Sequence, residues 1–489
     1  MKALLLLLST TILASAAGVR ISATPFPSDL FTEPDPRQRT GLRVNLPLPN
    51  CTTNPNDCAE VRIINQLDGF HANPRITLRF SAPINPDTLR DGVRIAWLDS
   101  KTPDRFQVYP AGKISPINQV AWDPASNTAI LKPDEVLQSS RRYLLVVTDA
   151  VRDAAGDPVE MSLCTESSEY CTAVRDAAAR IQPNLGGPRI VAASLFTTLS
   201  ATAFLEEARR LIQESPVPMV RPGPTPIVPL ANLRAVTILQ QVRTSPGNQI
   251  DPLTFSLPPD VLALANLGRA YFGSFRSPRY LDSTLTIPES PTGERLMAPS
   301  TTDEIHFHVF LPNAPAPPGG YPVVIAAHGL GDSRFGMPTA MALANGVGRA
   351  VIAINTFGHG FGPNSALRLT FAGDRNVEVP APGRGVDFDG NQRIDAFEGC
   401  VVVTPDRPIG ARDCIRQTAI DYLQLVRILR AGLDLDGDGR VDLNREGIQL
   451  AGQSFGSWVG TLVMALEPAI ETAVLNVAPA NGTETTRLS

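Results

Sequence analysis

The sequence predicts a multidomain protein in which an all-β, immunoglobulin-like sandwich precedes an α/β domain with a mostly parallel, doubly wound sheet. Short segments of alternating hydrophobicity, separated by turn residues, fill the first part of the chain. From about residue 268, apolar runs of strand length alternate with helical patterns. Near the C-terminus an apolar strand, a Gly-x-Ser-x-Gly turn around Ser454 and an amphipathic helix follow one another.

Length and composition bound the kind of protein. A chain of 489 residues is long enough for two or three domains, each with its own core. A net charge of −5 argues against a nucleic-acid partner. Residues 1–16 combine Lys2, a leucine-rich run and Ala14-Ser15-Ala16, which predicts a cleaved signal peptide. No later run is long enough to span a bilayer, so we expect an exported protein, extracellular or periplasmic, without an integral membrane span.

Six cysteines fall into three pairs that are close in sequence. In an exported protein, short disulfides that hold loops are the expected use. Six cysteines allow 15 connectivities, so spacing alone does not fix the pairing. The rival interpretation, a metal site, fits poorly because the spacings match no zinc pattern. The pairs are Cys51/Cys58, Cys164/Cys171 and Cys400/Cys414.

The chain up to residue 267 is predicted to contain three parts. Residues 17–60 form an extended lead-in, and residues 61–190 form the sandwich, in which Ile76, Leu78 and Phe80 share one strand face. Residues 191–267 begin with an amphipathic helix. A dense series of prolines between 216 and 229 then predicts a semi-rigid linker, because proline excludes helix and interior strand.

The α/β domain is predicted to occupy residues 268–489. Its expected strands include Tyr321–Ala327, Arg349–Ile354 and Thr472–Val477. Pro338–Asn345 is predicted to be a short helix, and a long amphipathic helix is expected to end at Gly432.

The turn at Ser454 carries the chemical hypothesis. A sharp strand-to-helix turn exposes a serine hydroxyl above a parallel sheet, and Gly452 and Gly456 are needed because side chains there would crowd it. We predict Ser454 as a nucleophile and the N–H groups of Phe455 and Leu330 as an oxyanion hole. Leu330 belongs to the turn His328-Gly329-Leu330-Gly331 after a buried strand, in which Gly329 and Gly331 allow close approach.

The sequence leaves the base and the acid of a catalytic triad unassigned. In this topology the order is Ser, then Asp or Glu, then His, yet all five histidines precede Ser454. His359, in Gly358-His359-Gly360, is interpreted as structural, and Glu484 as a solvated tail residue. Two accounts fit, a fragment of a longer enzyme or a truncated protein without catalysis. We favour the fragment, which makes the domain C-terminally incomplete.

Two acidic loops predict structural Ca²⁺. Oxygen ligands at alternating positions of a twelve-residue loop suit this ion. The first loop departs from the pattern at Gln392, where glycine usually makes the turn, and the second has Arg445 at its last position. Charged, solvated turns are the alternative for both. The predicted ligands are Asp387, Asp389, Asn391, Arg393, Asp395 and Glu398 in the first loop, and Asp434, Asp436, Asp438, Arg440 and Asp442 in the second.

The chain resembles the bacterial extracellular (virulence-factor) lipases of the α/β-hydrolase superfamily. The resemblance is carried by Pro25–Leu30, Leu67–Phe70, Ala193–Thr198, His328-Gly329 and Gly452–Gly456. It implies hydrolysis of a lipid or other carboxylic ester, with Ser454 as nucleophile. The leading hypothesis is therefore a secreted serine esterase or lipase that works through an acyl-enzyme. The alternative is an exported, non-catalytic interaction protein that uses the sandwich and a calcium-stabilised, hydrolase-like domain.

Overall fold

The computed structural model describes residues 18–98, 112–164, 166–244, 250–256, 266–288, 291–296, 298–299, 301–396, 398, 400 and 408–478. The chain forms two compact units. The first holds the described residues up to Ala203 together with 291–294, and the second begins at Phe204. The predicted signal peptide at 1–16 and Glu484 lie outside the described residues.

The first unit is a two-sheet antiparallel sandwich with added helices. One sheet has the strand order β3-β7-β6 and the other β5-β4-β8-β9, while β1 and β2 form a separate pair. The elements are β1 (Thr32–Pro34), β2 (Leu42–Val44), α1 (Pro55–Ile64), β3 (Ile76–Arg79), α2 (Leu89–Gly92), β4 (Val93–Trp97), β5 (Ile114–Ser115), β6 (Ile117–Asp123), β7 (Thr128–Pro133), β8 (Arg142–Thr148), α3 (Glu169–Ile181) and β9 (Ile190–Thr197).

Strand β8 shows how this unit builds two cores. Its side chains alternate between the two faces of the sheet. Tyr143 and Leu145 belong to the core between the sheets, which also contains Leu78 of β3. Leu144 packs instead in a second cluster with Val174 of α3. Because α3 covers the outer face, both faces of β8 are buried, and the strand reads as a continuous apolar run.

The lead-in before the sandwich is more structured than expected. Residues 55–64 form α1, so the sandwich strands begin only at Ile76. Hydrogen bonds hold the lead-in against β9. Asp29 Oδ1 accepts from the Thr197 N–H at 2.7 Å. Ser194 Oγ donates to the Pro27 carbonyl at 2.9 Å. Buried Asp68 accepts from the N–H and hydroxyl of Ser200 at 2.8 and 2.6 Å. The lead-in motifs therefore contact the end of β9 directly.

The second unit contains a seven-stranded sheet and a four-stranded sheet. The larger has the order β10-β13-β14-β16-β15-β19-β20, and the smaller β12-β11-β17-β18. The elements are α4 (Ala203–Glu214), β10 (Arg221–Pro229), β11 (Leu233–Gln241), β12 (Ile250–Ser256), β13 (Leu267–Arg279), β14 (Thr301–Pro312), β15 (Val323–Ala327), α5 (Pro338–Gly346), β16 (Ala350–Ile354), β17 (Ala366–Phe371), β18 (Asn376–Pro380), α6 (Pro408–Ala431), β19 (Ile448–Gln453), α7 (Phe455–Leu466) and β20 (Ile470–Asn476).

Helices cover both faces of the central strands. Ile325 of β15 lies in the large core with residues of α6 and α7, such as Val426 and Val459. The next residue, Ala326, lies in the small cluster with Met341 of α5 on the other face. The buried, continuously apolar strands predicted from the sequence are confirmed for β15 and β16, where every residue is buried.

Two expectations for this unit need correction. The large sheet is mixed rather than mostly parallel, because β10, β13 and β14 pair antiparallel while β16, β15, β19 and β20 run parallel. The amphipathic helix expected within 191–267 is confirmed as α4, but the proline-rich stretch at 216–229, expected to be a linker, contains strand β10. Strand β10 tolerates its prolines because it lies at the end of the sheet, where missing N–H groups cost no ladder bonds.

The six cysteines form three short-range disulfides, Cys51–Cys58, Cys164–Cys171 and Cys400–Cys414, a pairing that the sequence left open. The last of these ties the end of the first acidic loop to α6. None of the described helices is both long and apolar enough to cross a bilayer.

A buried ionic network joins α6 to β13, β14 and the loop that follows β18. Asp421 is fully buried and accepts from Arg384 Nη1 at 2.7 Å and from Ser277 Oγ at 2.6 Å. Arg384 Nη2 also donates to Asp303 at 3.2 Å. Burial raises the pKa of Asp421, while the Arg384 charge opposes that rise. Without Asp421, Arg384 would keep only the less buried Asp303 as its counter-charge, and without Arg384 the fully buried Asp421 would lose its ion pair.

Replacing Asp421 by alanine should therefore destabilise the second unit strongly. We expect the free energy of unfolding to fall by about 3–5 kcal/mol, because Arg384 loses its buried counter-charge. Denaturant titration monitored by tryptophan fluorescence measures the change. Glu378→Ala is the matched control: it breaks the exposed Arg368–Glu378 pair and should cost about 1 kcal/mol or less. Equal losses in the two variants would contradict a structural role for the buried network.

Candidate active site

Strands β15 and β19 place the predicted turns at His328 and Ser454 at the same edge of the sheet. Their parallel register pairs Ala327 with Gly452, so the chain leaves both strands at the same edge. A Cβ placed on Gly329 would lie 3.7 Å from Ser454 Cβ. The turn that begins at His328 therefore lies directly beside the predicted nucleophile.

The backbone of Ser454 is held in an unusual conformation. Its φ of 51° and ψ of −112° lie outside the regions that a side chain normally allows. The Ser454 N–H donates to the Asn476 carbonyl at 2.9 Å, and Ser457 donates to the same oxygen through Oγ at 2.9 Å. These bonds from β20 fix the turn, so the helix α7 starts immediately after the serine.

Both glycines of the motif are required by close approach. A Cβ on Gly456 would lie 2.1 Å from the Ala327 carbonyl oxygen and 2.6 Å from that of His328. A Cβ on Gly452 would lie 2.8 Å from Ser457 Cα. The first turn of α7 thus packs on the end of β15 in a space that excludes any side chain.

The N–H groups of the two predicted oxyanion donors take part in no hydrogen bond of the described helices and strands. Phe455 is the first residue of α7, where no intrahelical carbonyl accepts the N–H. Within the described part of the chain, neither Phe455 N–H nor Leu330 N–H donates a hydrogen bond. Gly331, with a φ of 73°, completes the turn that carries Leu330. Both N–H groups are therefore available to a bound oxyanion.

His328 is a structural residue beside this site. It is buried, and its Nδ1 lies 2.8 Å from the Gly329 carbonyl, to which the neutral ring donates. Its Nε2 accepts from the Thr356 N–H at 3.0 Å. Burial lowers its pKa to about 4. The ring links the ends of β15 and β16 and has no nitrogen left for proton transfer.

His359 is also buried, and its ring stacks on Phe455 with centroids 5.6 Å apart. Nδ1 lies 2.9 Å from the Phe357 carbonyl, and Nε2 has no hydrogen-bond partner. Burial lowers its pKa to about 3. No described side chain hydrogen-bonds the Ser454 hydroxyl, so the structure assigns no base to the serine.

The first acidic loop brings together three of its six predicted ligands. Carboxylate oxygens of Asp387, Asp389 and Glu398 lie within 4.8 Å of one another, whereas Asp395 lies outside that group. Asp387 Oδ1 is buried without a hydrogen-bond partner. Asn391 and Arg393 bond within the loop, Asn391 Oδ1 accepting from the Arg393 N–H at 2.7 Å.

Gln392, the departure from the calcium pattern, nevertheless adopts the left-handed conformation that the pattern assigns to glycine. Its φ is 66°. Its N–H donates to Asp387 Oδ2 at 3.0 Å, which closes the turn over the first ligand position. Ile394, two residues later, is buried, and a Cβ added to Gly385 would lie 2.7 Å from it.

The second acidic loop brings Asp434, Asp436 and Asp438 within the same limit, all exposed. Asp442 is not part of this group, since its Oδ2 accepts from the Leu435 N–H at 2.7 Å. Arg440 donates its N–H to Asp438 Oδ1 at 2.8 Å.

The end of the second loop pairs with the start of β15. The Tyr321 N–H donates to the Asp442 carbonyl at 2.7 Å, and the Asn444 N–H donates to the Tyr321 carbonyl at 2.9 Å. The loop therefore precedes β19 in sequence and contacts the residue two positions before β15 in space.

Sequence reasoning missed two residues that shape the site. Asn476 anchors the Ser454 turn through its carbonyl, and its side-chain Nδ2 donates to Gln453 Oε1 at 2.7 Å. The strand predicted at Thr472–Val477 was the only sequence signal for these hydrogen bonds. Arg334 is also buried, and the nearest acidic residue in sequence, Asp332, did not predict that burial.

Comparison with known proteins finds a family match for part of the first unit and weak similarity to solved structures. A family model described as "Bacterial Ig-like domain" matches residues 52–165. No curated protein matches the chain. Among solved structures, the chain is similar to the acetyl xylan esterase of Paenibacillus sp. R4, at 14% identity and a TM-score of 0.30, with 59% of this chain and 62% of that chain covered.

Two further solved structures are of the same kind. Acetyl xylan esterase 1 of Thermoanaerobacterium sp. JW/SL YS485 is 14% identical with a TM-score of 0.29, covering 58% of this chain and 61% of that one. The ferulic acid esterase of Streptomyces cinnamoneus is 16% identical with a TM-score of 0.22, covering 43% and 61%. The chain thus spans about three fifths of the length of these esterases, and likenesses of this strength say nothing about its substrate.

The buried imidazole of His359 should make the second unit sensitive to acid. Below pH 6.5 the unfolded chain takes up a proton at this residue, but the folded chain does so only near pH 3. Stability contributed by the neutral ring is therefore complete above about pH 6.5 and falls as the pH drops towards 3. In His359→Asn, which keeps a donor for Phe357, the melting temperature should fall less between pH 7 and pH 5 than in the wild type.

Thermal unfolding at the two pH values measures this difference. His71→Asn, at an exposed histidine in the other unit, is the control and should behave like the wild type. An unchanged pH dependence in His359→Asn would show that its burial does not limit acid stability.

Proposed function

We propose that the second unit is a serine ester hydrolase in which Ser454 attacks the ester carbonyl. The observation that supports this most directly is the contact between the Gly329 turn and a Ser454 held at a strained strand-to-helix turn. Half-buried Ser454 lies at the end of a parallel strand, where α/β sheets bind ligands. The substrate is a lipid or another carboxylic ester.

In this reaction Ser454 Oγ bonds to the carbonyl carbon and loses its proton to a base. The carbonyl oxygen becomes an oxyanion that the N–H groups of Leu330 and Phe455 bind. Each such donor is worth about 3 kcal/mol to the transition state. The tetrahedral intermediate then expels the alcohol and leaves an acyl-enzyme, which water hydrolyses to the acid and the serine.

The proton acceptor for this cycle is not among the described residues. His328 uses both ring nitrogens, and His359 has a pKa of about 3, too low for an efficient base near neutral pH. We therefore expect Ser454 in this 489-residue chain to react slowly, through the strained turn and the oxyanion hole alone.

A fluorophosphonate probe tests the nucleophile because it bonds covalently to serines beside an oxyanion hole. We expect slow, single-site labelling of the wild-type chain, found by mass spectrometry on the peptide that contains Ser454. Ser454→Ala should remove the label, whereas Ser215→Ala, at an exposed serine after α4, should keep it. Labelling that survives Ser454→Ala would refute the assignment. An unlabelled, folded wild type would favour the non-catalytic alternative.

We further propose that the chain is exported before it folds. The sequence of residues 1–16 has the charged, apolar and small-residue parts of a signal peptide. All three disulfides, one of them in the second unit, require an oxidising compartment to persist.

We also propose that the first acidic loop binds structural Ca²⁺. Three carboxylates meet there, and buried Asp387 Oδ1 has no protein donor, which a hard cation would compensate. Asp387, Asp389 and Glu398 would hold the ion. The second loop offers the exposed Asp434, Asp436 and Asp438 as a weaker site. The ion would stiffen the loops beside His359 and β15 and take no part in the reaction.

Chelation should then destabilise the protein. Excess EGTA should lower the melting temperature by several degrees, and added Ca²⁺, but not Mg²⁺, should restore it, because ligands that bind only the folded state stabilise it. Asp387→Asn should lose most of this response. Asp374→Asn, at an exposed aspartate outside both loops, is the control and should retain it. A melting temperature indifferent to EGTA and Ca²⁺ would identify both loops as plain charged turns.

A further inference from the structure

A small cavity of about 200 Å³ lies in the second unit, away from the predicted oxyanion hole. It is bordered by β10, β13 and β14, with Arg221, Ser274 and His306 at paired positions of the three strands. Phe307 pairs with Ile354, the last residue of β16. The cavity therefore lies close to the end of β16, and β14, which borders it, is three strands from β19 in the sheet order.

The strongest feature of this cavity is the guanidinium of Arg334. The residue is 2% exposed, and its Nη1 donates to the Pro382 carbonyl at 2.8 Å. Its Nε is buried without a hydrogen-bond partner. Among the described residues no carboxylate forms an ion pair with it. A buried charge in this state is costly unless an anion compensates it.

Arg384 provides an internal comparison. Its guanidinium is also largely buried, but it donates to Asp421 and Asp303 at 2.7 and 3.2 Å. The fold thus supplies two carboxylates to one buried arginine and none of the described carboxylates to the other. Burial lowers the pKa of Arg334 to about 9, so it remains charged at neutral pH. The difference points to an anion that comes from outside the described residues.

The charges around the cavity favour an anion. Arg221 adds a second, exposed guanidinium, and His306 is neutral at pH 7 because burial lowers its pKa. Glu304 is the opposing group. It is exposed, and its Oε1 accepts from the Ser274 hydroxyl at 2.7 Å. Two arginines against one glutamate leave the lining net positive.

The other residues that line the cavity are mainly apolar and suit a ligand with a small apolar part. The apolar residues among them are Phe272, Phe307, Val379 and four prolines. Since each liquid water occupies roughly 30 Å³, the space equals that of about six or seven waters. This is smaller than the pockets that hold drug-sized molecules.

We propose that this cavity is a binding site for a small organic carboxylate, with Arg334 as its principal charge partner and Arg221 as a second. The planar guanidinium matches a carboxylate through two parallel hydrogen bonds. Two sources have this chemistry: a free carboxylic acid, or a carboxylate carried by an ester substrate. The site does not depend on Ser454 being a nucleophile.

Direct binding to the whole chain tests the proposal. Isothermal titration calorimetry with sodium butyrate should show saturable binding at one site, and butyramide, which has the same shape without the charge, should bind at least about tenfold more weakly. Butyrate should also raise the melting temperature. Equal binding of the two compounds, or no binding of butyrate at millimolar concentrations, would overturn the proposal.

Variants then locate the site. Arg334→Met should abolish butyrate binding, and Arg334→Lys should weaken it because lysine lacks the planar fork. If the buried changes prevent folding, Arg221→Gln, at an exposed residue, should still weaken binding severalfold. Arg234→Gln, at an exposed arginine of β11, is the matched control and should bind like the wild type. Undiminished binding by a folded Arg334→Met, or by Arg221→Gln, would place the site elsewhere.

Two further titrations identify the ligand class and its source. Inorganic phosphate should bind more weakly than butyrate because it gains nothing from the apolar walls, and tighter binding of phosphate would overturn the organic part of the proposal. Butyrate binding that persists in Ser454→Ala supports a site independent of the nucleophile. Monomethyl succinate that binds wild type and Ser454→Ala equally, and is displaced by butyrate, would identify ester-borne carboxylates as a second source.

Discussion

The parallel register between β15 and β19 is the constraint on which the candidate site depends. Because Ala327 faces Gly452, the two turns leave the sheet together, and Gly456 fits against the carbonyls of Ala327 and His328. A slip of one residue would move the Gly329 turn away from Ser454 and place a side chain where only glycine fits. The chemistry proposed for Ser454 therefore rests first on strand pairing and close packing, and only then on reactive groups.

Polar groups also hold the loops that surround the paired strands β15 and β19. His328 bridges the ends of β15 and β16, and Arg384 links the loop after β16 to α6, its N–H donating to the His359 carbonyl at 2.7 Å. The first acidic loop continues the same support, since a Cβ on Gly358 would lie 2.9 Å from the Glu398 carbonyl oxygen. Buried charges, a disulfide and an acidic loop thus converge on the segment that carries His359. They explain why its imidazole can remain buried and neutral.

Much of the fold followed from local pattern, and the errors have physical causes. Apolar runs located β15 and β16, and the glycine spacing located the turn at Ser454, because these signals are local. Strand direction is not local, so the antiparallel β13 and β14 were not foreseen. The proline-rich β10 was expected to be a linker because proline opposes strands in general, although not at a sheet edge. Arg334 could not be predicted because burial of a lone arginine depends on tertiary contacts.

The Asn476 carbonyl accepts from both Ser454 and Ser457, and this places the nucleophile turn under the control of the last strand of the described sheet. The side chains of Val474 in β20 and of Val477, just beyond the strand, are exposed. A displacement of β20 would therefore move the carbonyl that holds the backbone of Ser454. The backbone conformation of Ser454 is thereby tied to the position of β20, the strand that pairs with β19.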